Sequence, residues 1–292
     1  MITESLYKKA ECGAVIALGR FDGLHLGHKL VVEKAKELAK TCNAKVALFT
    51  LKKQKGARSL IFSFEELSLK AGSLGIDELI YAEETPELFG MDKDEFLSLV
   101  IKNRKPLGFV FGEDYTFGKD RAGDAGYLAD RCEKLGIPYK KVPILTENGQ
   151  KISSTAVKEL LKVGDIESAD RMLGGDYYIV GEVVHGRNVG TGMGFPTINV
   201  SIDDTKLIPF EGVYETRVTV FGKTYKALTS IGTAPTFVGR ELTVESYLKD
   251  FDHNAYGEKV KVDFKRFLRK NVAFSSENEL ISQLKKDLKI YD

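Results

Sequence analysis

The spacing of apolar residues changes partway along this chain of 292 residues, and that change limits what the chain can fold into. In the first part, short continuous apolar runs such as residues 14–18 alternate with helical patterns such as residues 29–40. Continuous apolar runs are typical of strands buried on both faces, and strands that alternate with helices favour a parallel α/β sheet. From Tyr177 onward, β-rich runs separated by turn residues follow one another, as in an antiparallel barrel or sandwich.

The boundary between the two patterns falls near Gly174 and Gly175. The chain length is consistent with about two domains, since a domain averages ~150 residues. We therefore expect an α/β domain over residues 1–174 and a β-barrel domain over residues 175–292. Apolar residues recur at helical spacing over residues 276–288, so we expect a helix to close the second domain.

Charge is balanced in both parts, with 27 Lys and Arg against 26 Asp and Glu through residue 174, and 16 against 16 after it. This balance provides little attraction for nucleic acid, and no apolar run reaches the ~18 residues of a membrane span. The three widely spaced cysteines suit a reducing compartment, as small buried residues rather than disulfides or zinc ligands. We expect a cytoplasmic protein, monomeric or weakly oligomeric, whose partners are small molecules and not nucleic acids or membranes.

A glycine-containing turn over residues 19–28 follows the first predicted strand. In α/β folds, such a turn between a parallel strand and a helix binds phosphates. His25 and His28 can point to the same place because they lie three residues apart at the helix start, and Gly27 lets a ligand approach the backbone. Two such donors suit the charge that develops when an α-phosphoryl group is attacked and pyrophosphate leaves. The competing interpretations are unengaged surface histidines and a zinc site, although a third zinc ligand at a plausible spacing is missing.

A second candidate phosphate contact is the Ser-Ser-Thr segment over residues 153–155, with Lys158 one turn into the helix that follows. Hydroxyl residues at this position also serve as ordinary helix caps. The segment alone therefore allows both interpretations.

These motifs together resemble the His-x-Gly-His nucleotidyltransferase superfamily. The turn over residues 19–28 and the segments 112–118 and 152–155 are similar to those of its FMN adenylyltransferase branch. The resemblance implies a Rossmann-like parallel-sheet nucleotidyltransferase domain in which His25 and His28 are catalytic and bind the ATP phosphates. It implies that ATP is bound by Gly19, Phe21, Asp22, Gly23, His25, Gly27, His28, Ser153, Ser154, Thr155 and Lys158. It implies that the flavin is bound by Asp114, Phe117 and Gly118.

The sequence departs from that family pattern in three places. Lysine stands at position 158 where arginine is usual, and Ala156 stands where a second arginine is frequent. Residues 51–54, Leu-Lys-Lys-Gln, replace a Pro-His-Pro segment that often follows the second strand. Lysine keeps the charge of arginine but loses its bidentate fork, so weaker phosphate binding is expected.

The β-rich part contains a second candidate site. Four glycines within residues 186–194 form a segment whose amides could wrap phosphates, and Pro-Thr-Ile-Asn follows at residues 196–199. Thr197 and Asn199 would face the same way on an extended chain, where a hydroxyl and an amide oxygen are reasonable ligands for Mg²⁺ on a nucleotide. A β-turn with a polar edge is the alternative.

Glu245 is a candidate general base in the predicted strand over residues 242–248. Alternation places it on the same face as Thr243 and Tyr247, opposite Val244 and Leu248. A carboxylate near an ATP γ-phosphate could take the proton from an attacking alcohol. The sequence does not decide whether this face is barrel interior or solvent, and a solvated strand glutamate is the alternative.

Residues 186–199, 212–214, 231–237 and 244–257 resemble, in that order, the riboflavin kinase barrel. The resemblance implies Thr197 and Asn199 as ligands of Mg·ATP and Glu245 as the catalytic base for the ribityl 5′-hydroxyl. It also implies that ATP is bound by Gly186, Gly190, Gly194, Pro196, Thr197 and Asn199. Two residues depart from the family, since Ser230 replaces a usual asparagine and Ala234 a usual arginine.

Both resemblances occur in the order found in bifunctional prokaryotic riboflavin kinase/FAD synthetases. They imply a flavoprotein enzyme of FAD biosynthesis with two ATP-dependent steps: phosphorylation of riboflavin to FMN, then adenylylation of FMN to FAD with release of pyrophosphate. The departures leave a second possibility, a chain with one surviving activity. A flavin-binding regulator without turnover is the third.

Overall fold

The structure is a computed structural model that describes residues 1–54, 56, 59–185, 197–236, 239–272 and 276–289. The chain forms two compact units, Met1–Ser154 and Thr155–Asp292, which we call the first and second units. The boundary predicted near Gly174 therefore lies within the second unit, about twenty residues after the division between compact units. Among the described residues, no helix combines the length and apolar character needed to cross a membrane.

The first unit alternates strands and helices, as predicted. Its elements are β1 (Ile2–Ser5), β2 (Ala14–Leu18), α1 (Leu26–Thr41), β3 (Lys45–Lys52), α2 (Phe64–Ser73), β4 (Glu78–Glu83), α3 (Pro86–Gly90), α4 (Lys93–Arg104), β5 (Gly108–Gly112), β6 (Thr116–Phe117), β7 (Gly123–Asp124), α5 (Ala125–Leu135), β8 (Tyr139–Val142), β9 (Thr146–Glu147) and β10 (Gln150–Lys151). Six of these strands pair in parallel in the order β1-β4-β3-β2-β5-β8, which confirms the Rossmann-like sheet.

Strand β2 shows why this sheet forms. All five of its residues are buried. Ile16 and Leu18 point into a core with α4 and α5, whereas Val15 and Ala17 point into a core with α1 and α2. Helices thus cover both faces of the sheet, and the central strand has no polar face to expose.

The strand order reverses at β2. From β2 the chain passes to β3 and β4 on one side, and it later returns to place β5 on the other side. In open α/β sheets, ligands bind at the carboxyl ends of the strands where the order reverses. The segments that follow β2 and β5 are residues 19–28 and 112–118, so the fold brings two of the predicted motifs to one crevice.

The elements of the second unit are α6 (Ser154–Val163), α7 (Ile166–Leu173), β11 (Tyr178–Val184), β12 (Thr197–Val200), β13 (Gly212–Val220), β14 (Lys223–Thr236), β15 (Gly239–Leu248), β16 (Lys259–Arg269) and α8 (Glu277–Leu288). The first residue of α6, Ser154, belongs to the first unit. The six strands form a closed antiparallel barrel in the order β11-β12-β15-β14-β13-β16. The predicted barrel and closing helix are confirmed. Hydroxyl groups of Thr216, Thr229 and Ser246 form a fully buried chain across three strands, with oxygen separations of 2.7 and 2.8 Å.

The three cysteines are free. Only Cys132 is buried as expected, between α5 and the sheet. Cys12 is exposed and Cys42 is half-buried, so the expectation that all three pack as buried residues was wrong for these two. Cys12 lies in the loop between β1 and β2, and Cys42 is the C-cap of α1, so neither lies inside an element that packs in the core.

Candidate active sites

The turn after β2 has an unusual backbone. Phe21 and Leu24 have φ values of 50° and 43°, in the left-handed region that non-glycine residues rarely adopt, and Gly23 between them has φ 88°. The side chains of Phe21 and Leu24 are only 1% and 0% exposed and belong to the core beneath α1. Burial of these two side chains therefore stabilises a conformation that would otherwise cost about 1–3 kcal/mol per residue.

This turn places the two predicted histidines side by side. His25 caps α1, because its Nδ1 accepts a hydrogen bond from the backbone N–H of His28 at 3.3 Å. The two imidazole rings stack with their centroids 3.6 Å apart, and Phe21 packs against His28 at 5.1 Å. Since Nδ1 of His25 is an acceptor, its proton is on Nε2, which remains as the donor of a neutral ring.

Both imidazoles are held neutral. Burial lowers the pKa of His25 from 6.5 to about 4, with the Asp114 carboxylate opposing this shift and the Lys151 ammonium adding to it. Burial also lowers the pKa of His28 well below 6.5, and proximity to His25 lowers it further. His28 Nδ1 is shielded from solvent and has no hydrogen-bond partner among the described residues. The pair therefore offers directed, desolvated polar groups to a ligand in the crevice.

Zinc is not supported as the ligand of this pair. Within the described part of the chain, no three His, Cys, Asp or Glu side chains are grouped so that they could hold a metal ion. A catalytic zinc site needs about three protein ligands. The histidine pair is thus better suited to an anion than to a cation.

The turn also contains Asp22, which Ser154 contacts. The Ser154 hydroxyl donates to the Asp22 carbonyl oxygen at 2.7 Å, and the Asp22 carboxylate accepts from the backbone N–H of Ile61 at 2.8 Å. A Cβ at Gly27 would lie 3.8 Å from the carbonyl oxygen of Ile152, so the segment before Ser153 passes close to the start of α1. Thr155 and Lys158 lie on α6 in the second unit.

The three residues assigned to the flavin differ in their surroundings. Asp114 is exposed, and its carboxylate forms an ion pair of 2.5 Å with Lys151. Phe117 is 8% exposed and packs against the rings of Tyr115 and Phe96, both with centroids at 5.6 Å. Gly118 has φ 74°. The structure therefore places one polar group of this set in the open and one aromatic ring largely in the core.

Lys151 interacts with two of the predicted site residues, and sequence reasoning missed it. It lies on β10, in a short hairpin, yet its charge acts on His25 and its Nζ contacts Asp114. The available signal was its position directly before residues 152–155, which the resemblance had already selected.

In the barrel, strand pairing assembles the predicted kinase residues. Glu245 of β15 lies directly opposite Asn199 of β12 on one side and opposite Ser230 of β14 on the other. Directly paired residues share a face, so these three side chains form one row. The neighbours of Glu245, Val244 and Ser246, are fully buried and point into the barrel. Glu245 therefore lies on the outer face of the barrel, where it is half-buried.

Thr197 completes this group by donating its hydroxyl hydrogen to Glu245 Oε1. A hydroxyl, an amide and a carboxylate are thus gathered on two neighbouring strands. Oxygen donors of this kind are the ligands that Mg²⁺ prefers, so the residues present fit a hydrated magnesium ion carried by a nucleotide. Four residues of the predicted kinase ATP site lie outside the described residues, namely Gly186, Gly190, Gly194 and Pro196.

Family models match both parts of the chain. A model described as FAD synthetase matches residues 7–156, and a model described as riboflavin kinase matches residues 173–292. The fold and the two sites thus define a transferase that joins a nucleotidyltransferase domain of the FAD synthetase type to a riboflavin kinase barrel.

Relatives match over almost the whole length. The chain is 32% identical to a bifunctional riboflavin kinase/FMN adenylyltransferase of Bacillus subtilis, over 97% of this chain and 92% of the relative. It is 30% identical to the protein of the same name from Escherichia coli K12, over 94% and 90%. The chain belongs to the family of bifunctional riboflavin kinase/FMN adenylyltransferases.

A crystal structure from Streptococcus pneumoniae has the same fold. It superposes with a TM-score of 0.89 at 28% identity and covers 99% of this chain and 98% of its own. That protein is described as a macrolide-efflux protein.

Proposed function

We propose that this chain makes FAD from riboflavin in two ATP-dependent steps, each at its own site. The observation that carries the proposal is that one chain contains both arrangements of candidate catalytic residues, one in each family region. The first unit holds a desolvated histidine pair at the carboxyl end of β2, and the barrel holds a Thr197–Glu245 hydrogen bond beside Asn199. A regulator that only binds flavin would need neither arrangement.

In the barrel, Glu245 is the general base. Its carboxylate takes the proton of the riboflavin 5′-hydroxyl, and the oxygen attacks the γ-phosphorus of ATP. The bond from the γ-phosphorus to its bridging oxygen breaks, which yields FMN and ADP. Thr197 and Asn199 bind the Mg²⁺ that accompanies ATP as part of the substrate. The Thr197 hydroxyl also fixes Oε1 of Glu245, so the carboxylate is oriented before the alcohol arrives.

In the first unit, an FMN phosphate oxygen attacks the α-phosphorus of a second ATP. The bond to the β-phosphate bridge breaks, which yields FAD and pyrophosphate. The attacking phosphate is already an anion, so this step needs no strong base. His25 and His28 act by positioning and by donating hydrogen bonds to the phosphates, since burial keeps both rings neutral before ATP binds.

The proposal assigns the remaining residues as the family resemblance implies. Those for ATP in the adenylyltransferase site are Gly19, Phe21, Gly23, Gly27, Ser153, Ser154, Thr155 and Lys158, and Asp22 belongs to this site as part of the turn that carries the histidines. Asp114, Phe117 and Gly118 serve the flavin, and Gly186, Gly190, Gly194 and Pro196 serve ATP in the kinase site.

The proposed functional domains are residues 1–174 and 175–292. This division is supported by the family matches, which end at residue 156 and begin again at residue 173. We propose a cytoplasmic enzyme, monomeric or weakly oligomeric, that acts on small molecules and uses Mg²⁺. The free thiols and the balanced charge support this assignment.

Feeding the two substrates separately tests the proposal. With ATP and Mg²⁺, riboflavin should yield FMN and ADP, and FMN supplied alone should yield FAD and pyrophosphate. Product from only one substrate would establish a monofunctional enzyme. Flavin that stays bound without consumption of ATP would establish the regulator instead.

A further inference from the structure

The turn that carries His25 and His28 is tied to two distant segments of the first unit through one residue. The Asp22 carboxylate accepts a hydrogen bond from the backbone N–H of Ile61, and the Asp22 carbonyl oxygen accepts one from the Ser154 hydroxyl. Ile61 is fully buried, and Asp22 and Ser154 are half-buried. A single residue therefore connects segments that lie 39 and 132 positions away in sequence.

The turn needs such anchors because its backbone is strained. The left-handed conformations at Phe21 and Leu24 flank Asp22 and precede the histidines directly. Residues in this region persist only where the surrounding structure holds them. A third contact also anchors the turn: the buried Thr50 hydroxyl donates a hydrogen bond to the Arg20 carbonyl oxygen at 2.6 Å.

The contact also defines what the Ser154 hydroxyl does. A serine has one O–H donor, and that of Ser154 is given to Asp22 at 2.7 Å. The hydroxyl is therefore engaged in holding the turn. Ser154 is also the first residue of α6, so its backbone N–H is one of those that a helix start leaves without an intrahelical partner.

We propose that Asp22 is a positioning residue for adenylyl transfer, which fixes the strained turn and thereby the stacked His25–His28 pair through hydrogen bonds. The inference rests on the proposed adenylyltransferase activity. The negative charge of Asp22 does not provide this effect, because a carboxylate beside the ATP phosphates would repel them. Its carboxylate and carbonyl oxygens act as hydrogen-bond acceptors that hold Ile61 and Ser154 in place.

The test compares two substitutions of Asp22. In Asp22→Ala the contact to Ile61 is lost, and the kcat for FMN adenylylation should fall about 10- to 100-fold, because small displacements of catalytic groups have effects of this size. The KM for ATP should change less than about threefold. In Asp22→Asn the amide oxygen can still accept a hydrogen bond from the backbone N–H of Ile61. The kcat of this variant should therefore be at least about tenfold higher than that of Asp22→Ala.

A matched control removes the same kind of bond elsewhere in the unit. The Asp77 carboxylate accepts the backbone N–H of Val46 at 2.9 Å at the opposite, amino end of the sheet. Asp77→Ala should leave FMN adenylylation within about twofold of the unsubstituted chain. Riboflavin phosphorylation by all three variants should also stay within about twofold, which shows that the barrel is intact, and retained protection of the β2 amides against hydrogen exchange shows that the first unit is folded.

Three results would overturn the inference. An Asp22→Asn variant as slow as Asp22→Ala would assign the effect to charge. A rise confined to the KM for ATP would make Asp22 a direct ligand of ATP, and an equal loss in Asp77→Ala would make the effect one of general stability.

A readout that does not depend on activity separates this inference from the proposed function. The imidazole ¹⁵N resonances of His25 and His28 should move in Asp22→Ala and return in Asp22→Asn. Unchanged resonances in Asp22→Ala would refute the positioning role, even in a chain that makes no FAD. If the unsubstituted chain makes no FAD but the resonances move, the proposed function fails and the structural role of Asp22 stands.

Discussion

Acidification should weaken the first unit through His25. Burial lowers the pKa of this imidazole from 6.5 to about 4, so between these values the unfolded chain binds a proton that the folded chain does not. Stability rises with pH wherever the unfolded state binds more protons, and it therefore decreases on acidification. The contribution is fully present above pH 6.5 and is lost as the pH falls toward 4. From pH 7 to pH 5 the loss is about 2 kcal/mol of unfolding free energy, and by pH 4 it approaches about 3 kcal/mol.

The matched variant is His25→Asn. Asparagine is a strong helix cap and can accept the backbone N–H of His28 as His25 does, so the start of α1 is retained while the titrating group is removed. The variant should lose about 2 kcal/mol less than the unsubstituted chain between pH 7 and pH 5.

Hydrogen exchange of the β2 amides, corrected for the intrinsic pH dependence of exchange, reports opening of this unit separately from the barrel. An NMR titration of His25 in the unsubstituted chain provides a direct check, with a midpoint expected near pH 4. Parallel losses of protection in both proteins, or a His25 midpoint near 6.5, would refute the argument that burial controls this group.

Three further substitutions address the two sites and the fold. His28→Ala should lower FAD formation from FMN by about 10- to 1000-fold while riboflavin phosphorylation stays nearly intact, and equal loss of both activities in a chromatographic assay would contradict independent sites. Glu245→Gln keeps an acceptor for Thr197 but removes the base, so riboflavin phosphorylation should fall about 10²- to 10⁴-fold while supplied FMN is still adenylylated. Full kinase activity of that variant would exclude Glu245 as the base. Gly118→Ala should destabilise the first unit by about 1–3 kcal/mol in denaturant unfolding, since φ is 74° and the new Cβ would lie 2.8 Å from Cα of Lys93; an unchanged midpoint would show that the turn adjusts freely.

The sequence predicts the interior of the sheet better than its edge. Strand β2 is recognisable because burial on both faces requires a continuous apolar run. The edge strand β1 is not, because Ile2 is 56% exposed and the pairing that makes the segment a strand joins it to Glu78, far along the chain. Two-residue strands such as β6 are too short to show any period.

The same distinction applies to the sites. The His25–His28 pair follows from local spacing, since one helical turn brings the two rings together. The position of Glu245 does not, because the period of a strand shows which residues share a face but not which face is interior. Only closure of the barrel sets Glu245 opposite Asn199 and directs it outward. The approach of Lys151 to His25 likewise depends on tertiary packing of a hairpin with no local signal.

The central claim is that one chain performs two successive transfers at separate sites. A chromatographic time course with riboflavin, ATP and Mg²⁺ tests it most directly by resolving riboflavin, FMN and FAD. FMN should appear first and FAD after a lag, with two ATP consumed for each FAD formed. FMN that accumulates without FAD, even when FMN is later added in excess, would contradict the claim for the first unit. Absence of FMN, with FAD formed only from added FMN, would contradict it for the barrel.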